Sequence, residues 1–379
     1  MNRKLILLAL SLLLLPVFAH AGGLPREDKR TAETYSEAPA SDTHNHTHHH
    51  TKSTPRAIDH APINVMGDHM HQKGEWMISL RRMRMKMQGN HIGSDDAPDS
   101  AVLATPNRNG GMAQMLRVVP QEMTMDMTML GVMYAPADSL TLMLMTSYRE
   151  QDMTLKTYNM MGQTVGLFDT KTSGIGDITL SALFKLPQGF GGKFHGNIGI
   201  SLATGSIKES GTILTPMNMR IQARLPYAMQ LGSGSYDLKT DLTYLNRGDV
   251  YSYGAQIGGT FRLNENNEHY RLGNRQYIDL WLTRSLSQNF SASAHLNAAR
   301  QSAIQGRDPL IDKPVQSAHP SFYGGEKIKL GLGLNYVFTK GALTGSRFAL
   351  EFSKPVLEDL NGPQMSEDKS LTLGFQKAF

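Results

Sequence analysis

Apolar and polar residues alternate with a period of two in segment after segment, from about residue 75 to the last residue. The clearest of these segments are 194–202, 236–244, 253–263, 330–338 and 348–352. A period of two predicts β-strands that have one apolar and one polar face. The spacing of an amphipathic helix, with apolar residues at i, i+3, i+4 and i+7, does not recur in this region, so we expect an all-β structure.

Clusters of turn-forming residues separate the alternating segments, at 189–192, 232–235, 264–268 and 341–346. Strands of about 9–11 residues between such turns have the length that a tilted transmembrane strand needs. A soluble periplasmic β-sandwich or propeller would alternate as well, but its outer faces would carry more charge than these segments do. We therefore predict one antiparallel transmembrane barrel of about twelve strands over residues 75–379.

The last segment ends its alternation on an aromatic residue. Leu371, Leu373 and Phe375 alternate with polar or small residues, and Phe379 is the final residue. A closing strand with this pattern resembles the signal that the barrel-assembly machinery of Gram-negative bacteria reads. We therefore expect that machinery, through Phe379, and outer-membrane lipid as partners of the chain.

Residues 1–21 have the features of a secretory signal peptide. Arg3 and Lys4 precede an uncharged apolar run over residues 5–18, and residues 19–21 form a small-x-small cleavage site. The run is too short to span a membrane comfortably, which disfavours an N-terminal anchor. Export together with the barrel pattern predicts the outer membrane of a Gram-negative bacterium as the location.

Composition adds three limits to this picture. The 36 glycines and the 19% charged residues fit a barrel, because a barrel keeps its polar groups in the lumen and the loops. The formal net charge of +5 is small, and no basic helix or RNA-binding motif accompanies it, so we expect no nucleic-acid partner. Cysteine is absent, which excludes disulfides and thiolate chemistry.

Three short motifs occur in a fixed order within the alternating region. They are Gly-Ile-Gly-Asp at 174–177, Leu-Ala-Thr-Gly at 202–205 and Leu-Gly-Ser-Gly-Ser at 231–235. Together they resemble the outer-membrane barrels grouped as the family of the MetA pathway of phenol degradation. Two further segments, 61–71 and 360–364, look like a Met/His-rich subgroup of that family.

The resemblance covers about residues 60–379. It implies an outer-membrane barrel of a kind often described as a transporter. It implies no particular substrate, so the solute is left open.

Residues 22–74 differ from the barrel region in composition. We interpret them as a flexible His/Met-rich periplasmic extension that could enter the lumen as a plug. Imidazole is the commonest protein ligand for zinc and copper, so a histidine tract in this extension is a candidate metal site. The alternative is a solvated linker that binds ions only incidentally. The tract consists of His44, His46, His48, His49 and His50.

A second candidate metal cluster lies close to the first predicted strand. It contains Met66, Asp68, His69, Met70 and His71. Thioether and imidazole ligands together suit copper, and the thioether favours Cu(I). The alternative is an ordered lead-in whose methionines pack on the rim of the barrel.

Methionines alternate with charged or polar residues over 82–87 and 123–129, and two more lie at Met143 and Met145. They could line the lumen as a path for Cu(I), Ag(I) or an apolar solute, or they could face lipid. A cation facing lipid near the midplane costs roughly 2–4 kcal/mol, which favours methionines outward and charges inward. Trp76, Ile78 and Leu80 are apolar too, but their parity is opposite to that of Met83, Met85 and Met87, so the register of this strand is left open.

We predict that charged residues line the lumen and set its selectivity. Those residues are Arg84, Lys86, Asp126, Asp237, Lys239, Asp241 and Arg262. Trp76 and Trp281 are expected in the aromatic girdles at the membrane interfaces.

No HExxH, GxSxG or Walker motif occurs in the sequence, so no catalytic residue is predicted and the chain is not expected to be an enzyme. The leading hypothesis is passive passage of a small solute through the barrel. The alternative is a protein that captures copper or a similar metal ion through its N-terminal His and Met segments.

Overall fold

The computed structural model describes residues 56–109 and 113–379. The predicted signal peptide at 1–21 and the histidine tract at 44–50 lie outside the described residues. No helix in the described part of the chain is long and apolar enough to cross a membrane.

Period-two alternation becomes β-structure throughout the described barrel region. In chain order the strands are β1 (Trp76–Gly93), β2 (Asp95–Asp96), β3 (Val118–Ala137), β4 (Leu140–Tyr158), β5 (Thr164–Ile175), β6 (Ile178–Lys185), β7 (Lys193–Leu202), β8 (Ser210–Leu214), β9 (Arg220–Arg224), β10 (Asp237–Arg247), β11 (Tyr251–Arg262), β12 (Tyr270–Arg271), β13 (Arg275–Ser285), β14 (Phe290–Gln301), β15 (Gln305–Gly306), β16 (Gly325–Val337) and β17 (Ser346–Ala378). A short α-helix, α1 (Asp99–Leu103), follows β2, and 3-10 turns lie at Ala57–Asp59, Tyr227–Met229, Gln316–Ala318, Pro320–Phe322 and Gly341–Leu343.

Eleven of these strands close into one antiparallel barrel, in the order β1, β3, β4, β6, β7, β10, β11, β13, β14, β16 and β17. Strand β17 closes the sheet because Arg347–Leu360 pairs with β16 and Leu360–Ala378 pairs with β1. A straight strand of its 33 residues would extend about 110 Å, so the chain must cross the wall twice. The predicted closed all-β antiparallel barrel is confirmed, and its size is close to the expected twelve strands.

Two strands of the same sheet lie outside the closed circuit. Strand β2 pairs with the end of β1. Strand β5 pairs with residues 148–158 of β4, and β6 pairs with residues 140–145 of the same strand. Strands β5 and β6 therefore occupy one position in the wall, interrupted at Gly176 and Asp177.

The two ends of the barrel differ in the length of their connections. At one end Trp76 and Phe379 exchange backbone hydrogen bonds of 3.4 and 2.8 Å, and short turns join β3 to β4 and β10 to β11. Long connections that include residues 97–109, 113–117, 203–236 and 302–324 lie at the other end. Outer-membrane barrels have short periplasmic turns and long outer loops, so we call these the periplasmic end and the outer end.

The outward faces of the wall strands form an apolar belt. Nearly every wall strand carries at least one exposed large apolar side chain. Exposed apolar rows of this extent are typical of a lipid-facing surface. Examples are Ile78, Leu80, Leu130, Leu142, Leu180, Ile198, Leu242, Ile257, Leu282, Leu330, Leu332, Phe352, Leu371 and Leu373.

Aromatic rings lie along the periplasmic rim of the belt. Trp76 contacts Tyr134 with 4.5 Å between ring centroids, and Phe290 contacts Tyr336 at 4.8 Å. Trp76 therefore occupies the predicted girdle position. The prediction for Trp281 is wrong, because its side chain is buried inside the barrel.

The long connections fold into a cap over the outer end. Hairpin β8–β9 and the paired strands β12 and β15 belong to this cap. Arg224 forms an ion pair with the buried carboxylate of Asp308 at 2.9 Å. The core beneath it consists of buried apolar residues, among them Val118, Met123, Met153, Leu155, Phe168, Leu214, Leu225, Tyr227, Met229, Tyr270 and Val315.

Candidate functional site

Residues 56–75, which we call the plug, lie inside the periplasmic end of the barrel. They belong to the segment that the sequence predicted as a flexible extension, and the structure shows them packed against the wall. Ala61 and Val65 form a buried cluster with Leu245 and Trp281. This contact is the reason why Trp281 faces inward, since its ring covers the apolar side of the plug.

Hydrogen bonds from several wall strands hold the plug backbone. The His195 imidazole Nε2 lies 2.7 Å from the Gly67 carbonyl oxygen, and the Gln256 amide donates to the Met66 carbonyl at 3.0 Å. Ser291 donates to the Ala57 carbonyl at 3.0 Å. These donors come from β7, β11 and β14, so the plug is anchored on widely separated parts of the wall.

Arg347 of β17 is a further anchor and is almost fully buried. Its guanidinium donates to the carbonyl of Ala61 in the plug, to Asn335 and, at 2.8 Å, to Gln376. A buried guanidinium is tolerated because its donors are hydrogen-bonded. Glu351, also on β17, holds the plug as well, because it accepts a 3.0 Å hydrogen bond from the Asn64 backbone N–H.

A cavity of about 650 Å³ lies in the lumen beyond the plug. Plug residues Ile63, Asn64 and Met66 line one part of it, and residues 323–325 below the cap line another. One wall of the cavity is rich in methionine and the other is polar.

Every methionine of β1, β3 and β4 faces the interior, in what we call the methionine wall. In-register pairs such as Met83 with Met127 and Met85 with Met125 run across β1 and β3. The prediction that these methionines face lipid is wrong. The members are Met77, Met83, Met85, Met87, Met123, Met125, Met127, Met129, Met133, Met143, Met145 and Met153.

The same parity places Arg84, Lys86 and Asp126 on the outer face, so the prediction that they line the lumen is also wrong. The pairing of β1 with β3 has no bulge between Trp76 and Lys86, so Trp76 fixes the parity. Arg84 lies eight residues further along, which is about 20 Å of height in a strand tilted by about 40°. Near that far interface an outward cation costs only about 0–1 kcal/mol.

Acidic partners also compensate these outer-face cations. Arg84 pairs with Asp126 at 2.9 Å, and Lys86 pairs with Glu122 at 3.2 Å. Strands β1, β3 and β4 have 18, 20 and 19 residues, well beyond the 9–11 or so that a membrane needs. The midplane cost on which the prediction depended therefore does not apply.

The structure places Asp237, Lys239, Asp241 and Arg262 on the inward face. Lys239 and Asp241 line the cavity, and Arg262 forms an ion pair with Asp237 nearer to the cap. Asn197 donates to Asp241 at 2.7 Å, so the polar wall is a connected network.

His295 lies in this polar wall, and no sequence motif singles it out. Its ring nitrogens lie 2.9 Å from Asp279 and 2.7 Å from Glu351. Because Glu351 also binds Asn64, the network extends from the wall into the plug. Only the inward parity of residue 295 on β14 could have indicated a lumen position.

Within the plug, the side chains of His60, Asp68 and His69 lie together, with ligand atoms all within 4.8 Å of one another. His60 was absent from the predicted cluster because it is eight residues from Asp68 in the chain. His71 lies beside them, with its ring 5.0 Å from that of His69. Burial lowers the pKa of His60 well below its usual range and that of His71 to about 3, which keeps both rings neutral.

The two methionines of the predicted cluster point to different neighbours. Met66 lines both the large cavity and a small adjoining pocket, whereas Met70 packs against Met77, Met133 and Leu183. The His and Met residues of the second predicted cluster therefore surround the base of the methionine wall.

The three family-like motifs meet at the outer rim. The Asp177 carboxylate accepts hydrogen bonds from the Gly205 N–H at 2.9 Å and from the N–H and hydroxyl of Ser233, both at 2.8 Å. A Cβ at Gly232 would lie 2.4 Å from the Gly205 carbonyl oxygen, so this contact requires glycine. The motifs are structural, since they fix the cap where β5 gives way to β6.

No protein-family model matches the chain, and no curated protein is significantly similar to it. An outer-membrane channel from Pseudomonas putida F1 superimposes with a TM-score of 0.54 and 13% identity, over 84% of this chain and 100% of that one. The toluene transporter TodX from P. putida gives a TM-score of 0.41 and 10% identity, over 82% and 91%. The β domain of the Bordetella autotransporter BrkA gives 0.41 and 13%, over 81% and 99%. The first likeness shows that the chain has the fold of an outer-membrane channel.

Proposed function

We propose that the protein is an outer-membrane channel for a small solute and that the plug keeps this channel closed. The observation that carries the proposal is the cavity of about 650 Å³ between the plug and residues 323–325. Cavities of about 300–1,000 Å³ are of the size that holds small molecules. A barrel with only a structural role has no need of such a space, because side chains can fill a small barrel.

The contacts of the plug favour a reversible closure. Its backbone is held mainly by individual side chains of the wall, such as His195 and Gln256, and it adds no strand to the barrel sheet. Each hydrogen bond of this kind contributes about 0.5–1.5 kcal/mol, so the plug can leave while the wall stays intact. The sheet closes through β1 and β17 without it.

The lining of the cavity fits a solute that has both polar and soft or apolar contacts. The methionine wall presents thioethers, and the facing wall presents charges of both signs, among them Lys239, Asp241 and Asp279. Mixed charge gives little preference between anions and cations of simple salts. Selectivity would then depend on the methionine wall.

Weakening the anchors of the plug tests this function. We expect a His195→Ala, Gln256→Ala double variant to open more often than the wild type in a planar bilayer. Loss of two hydrogen bonds, about 1–3 kcal/mol, corresponds to roughly a 5- to 150-fold shift in the opening equilibrium.

The matched control is His269→Ala with Gln222→Ala, since both residues are exposed on the outer loops. The control is expected to open as rarely as the wild type. Equal open probability in the double variant and in its control would refute closure by the plug.

A further inference from the structure

A small pocket at the base of the methionine wall is rich in sulfur. It is about 20 Å³ in volume, which is enough for one water molecule or one ion. Six thioether side chains line it: Met66 from the plug and Met77, Met129, Met133, Met143 and Met145 from the wall. Asp68 and His69 line the same pocket, so nitrogen and oxygen ligands border the sulfur atoms.

The histidines beside this pocket have unused nitrogen atoms. Among the described residues, His60 Nδ1 and His71 Nε2 are buried without a hydrogen-bond partner. Burying a polar atom in this way is unfavourable unless something else binds it. His60, His69 and Asp68 place their ligand atoms within 4.8 Å of one another, which small side-chain rotations can close around one ion.

The charge around the pocket discriminates between ions. Asp68 is a carboxylate that lines it, and the guanidinium of Arg81 lines it as well and contacts the sulfur of Met66. These charges offset each other, and the thioethers add none. A monovalent cation therefore meets less unbalanced charge here than a divalent cation would. Thioethers are soft ligands that favour Cu(I) over Zn(II) or Mg(II).

We propose that the solute is a soft monovalent metal cation of the Cu(I) type, which follows the methionine wall and binds in this pocket. This inference rests on the proposed channel function, because it names the solute of that channel. The wall extends from Met153 and Met87 below the cap to Met77 beside the plug, so thioethers are present along the whole path. His60, Asp68 and His69 then supply the tighter ligands at its periplasmic end.

The test is a calorimetric titration with Ag(I), which has the ligand preferences of Cu(I) and does not change oxidation state. The background is the full chain with His44, His46, His48, His49 and His50 replaced by serine, so that the tract does not contribute. In this background Met129, Met133, Met143 and Met145 are changed to leucine, which keeps the volume and removes the sulfur. The control changes the exposed Met160, Met161, Met217 and Met219 to leucine instead.

We expect one Ag(I) to bind in the background and in the control, with at least tenfold weaker binding in the pocket variant and no competition from Zn(II). Heat-modifiable electrophoretic mobility verifies that each barrel is folded. Unchanged Ag(I) affinity in the pocket variant would overturn the proposal. So would tight binding of an apolar probe such as p-xylene in a protein that does not bind Ag(I).

The two proposals fail in different ways. If the plug-anchor variant conducts potassium chloride and the background protein does not bind Ag(I), the channel stands and the metal solute is wrong. If Ag(I) binds in the pocket and no variant conducts, the channel function is wrong, and with it the role of the metal as a transported solute.

Discussion

A chain in which residues 57–72 are replaced by a Gly/Ser linker of equal length is expected to conduct almost continuously, whereas the intact chain stays closed for most of the recording. The replacement removes every apolar plug residue that touches Leu245 and Trp281, and it removes the backbone that His195 and Gln256 bind. The periplasmic end of the cavity is then open. Single-channel recording in planar bilayers measures the effect.

The barrel itself should survive this replacement. Its wall is held by strand pairs, and Gly74 and Glu75, which bond to Ala135, are retained. Heat-modifiable mobility identifies folded protein, and only folded protein enters the comparison. A folded variant that stays as closed as the intact chain would show that the cap, and not the plug, controls access.

The Arg347→Met variant is expected to lose about 3–5 kcal/mol of unfolding free energy, because it leaves three buried acceptors without a donor, at about 1–3 kcal/mol each. Methionine fills much of the same space but cannot donate to Asn335, Gln376 or the Ala61 carbonyl. Plug release should therefore precede unfolding of the wall.

Tryptophan fluorescence can follow this release, because the chain has two tryptophans in different places. Trp281 lies against the plug, whereas Trp76 is exposed on the periplasmic rim, so a Trp76→Phe background reports on the plug alone. Arg284→Met is the control, since Arg284 is exposed on β13 and should cost less than about 0.5 kcal/mol. Equal denaturation midpoints for the two variants would contradict the role of Arg347.

The fold could be predicted from the sequence because barrel strands carry their own periodicity. The alternating segment 194–202 corresponds to β7, Lys193–Leu202, and the segment 253–263 corresponds to β11, Tyr251–Arg262. Turn clusters such as 189–192 fall between strands. Local patterning decides these features, so no knowledge of distant contacts was needed.

The orientation of the methionine wall could not be decided in the same way. The charges at 82, 84 and 86 and the apolar residues Trp76, Ile78 and Leu80 share one face of the strand, yet the charges favour turning that face inward and the apolar residues favour turning it outward. An outward cation is costly only if it lies near the midplane of the membrane. The height of these charges depends on how far β1 extends beyond the membrane, and the pairing of long strands determines that.

The contacts of the plug could not be predicted from the sequence either. His60 joins Asp68 and His69 only because the plug folds back on itself, and Arg347 meets Ala61 across 286 residues of sequence. Asp177 likewise connects motifs that are far apart in the chain. Periodicity contains no information about such pairs, so the sequence could suggest that the segment enters the lumen as a plug but not which contacts hold it there.

A cross-link that locks the plug in place tests directly whether the plug closes the channel. The chain has no cysteine, and Ser291 already contacts the Ala57 carbonyl at 3.0 Å, so Ala57→Cys and Ser291→Cys introduce a single reducible pair. In the His195→Ala, Gln256→Ala background, oxidation should abolish the frequent openings and reduction should restore them. Openings that persist after the cross-link is verified would mean that the plug is not what closes the channel.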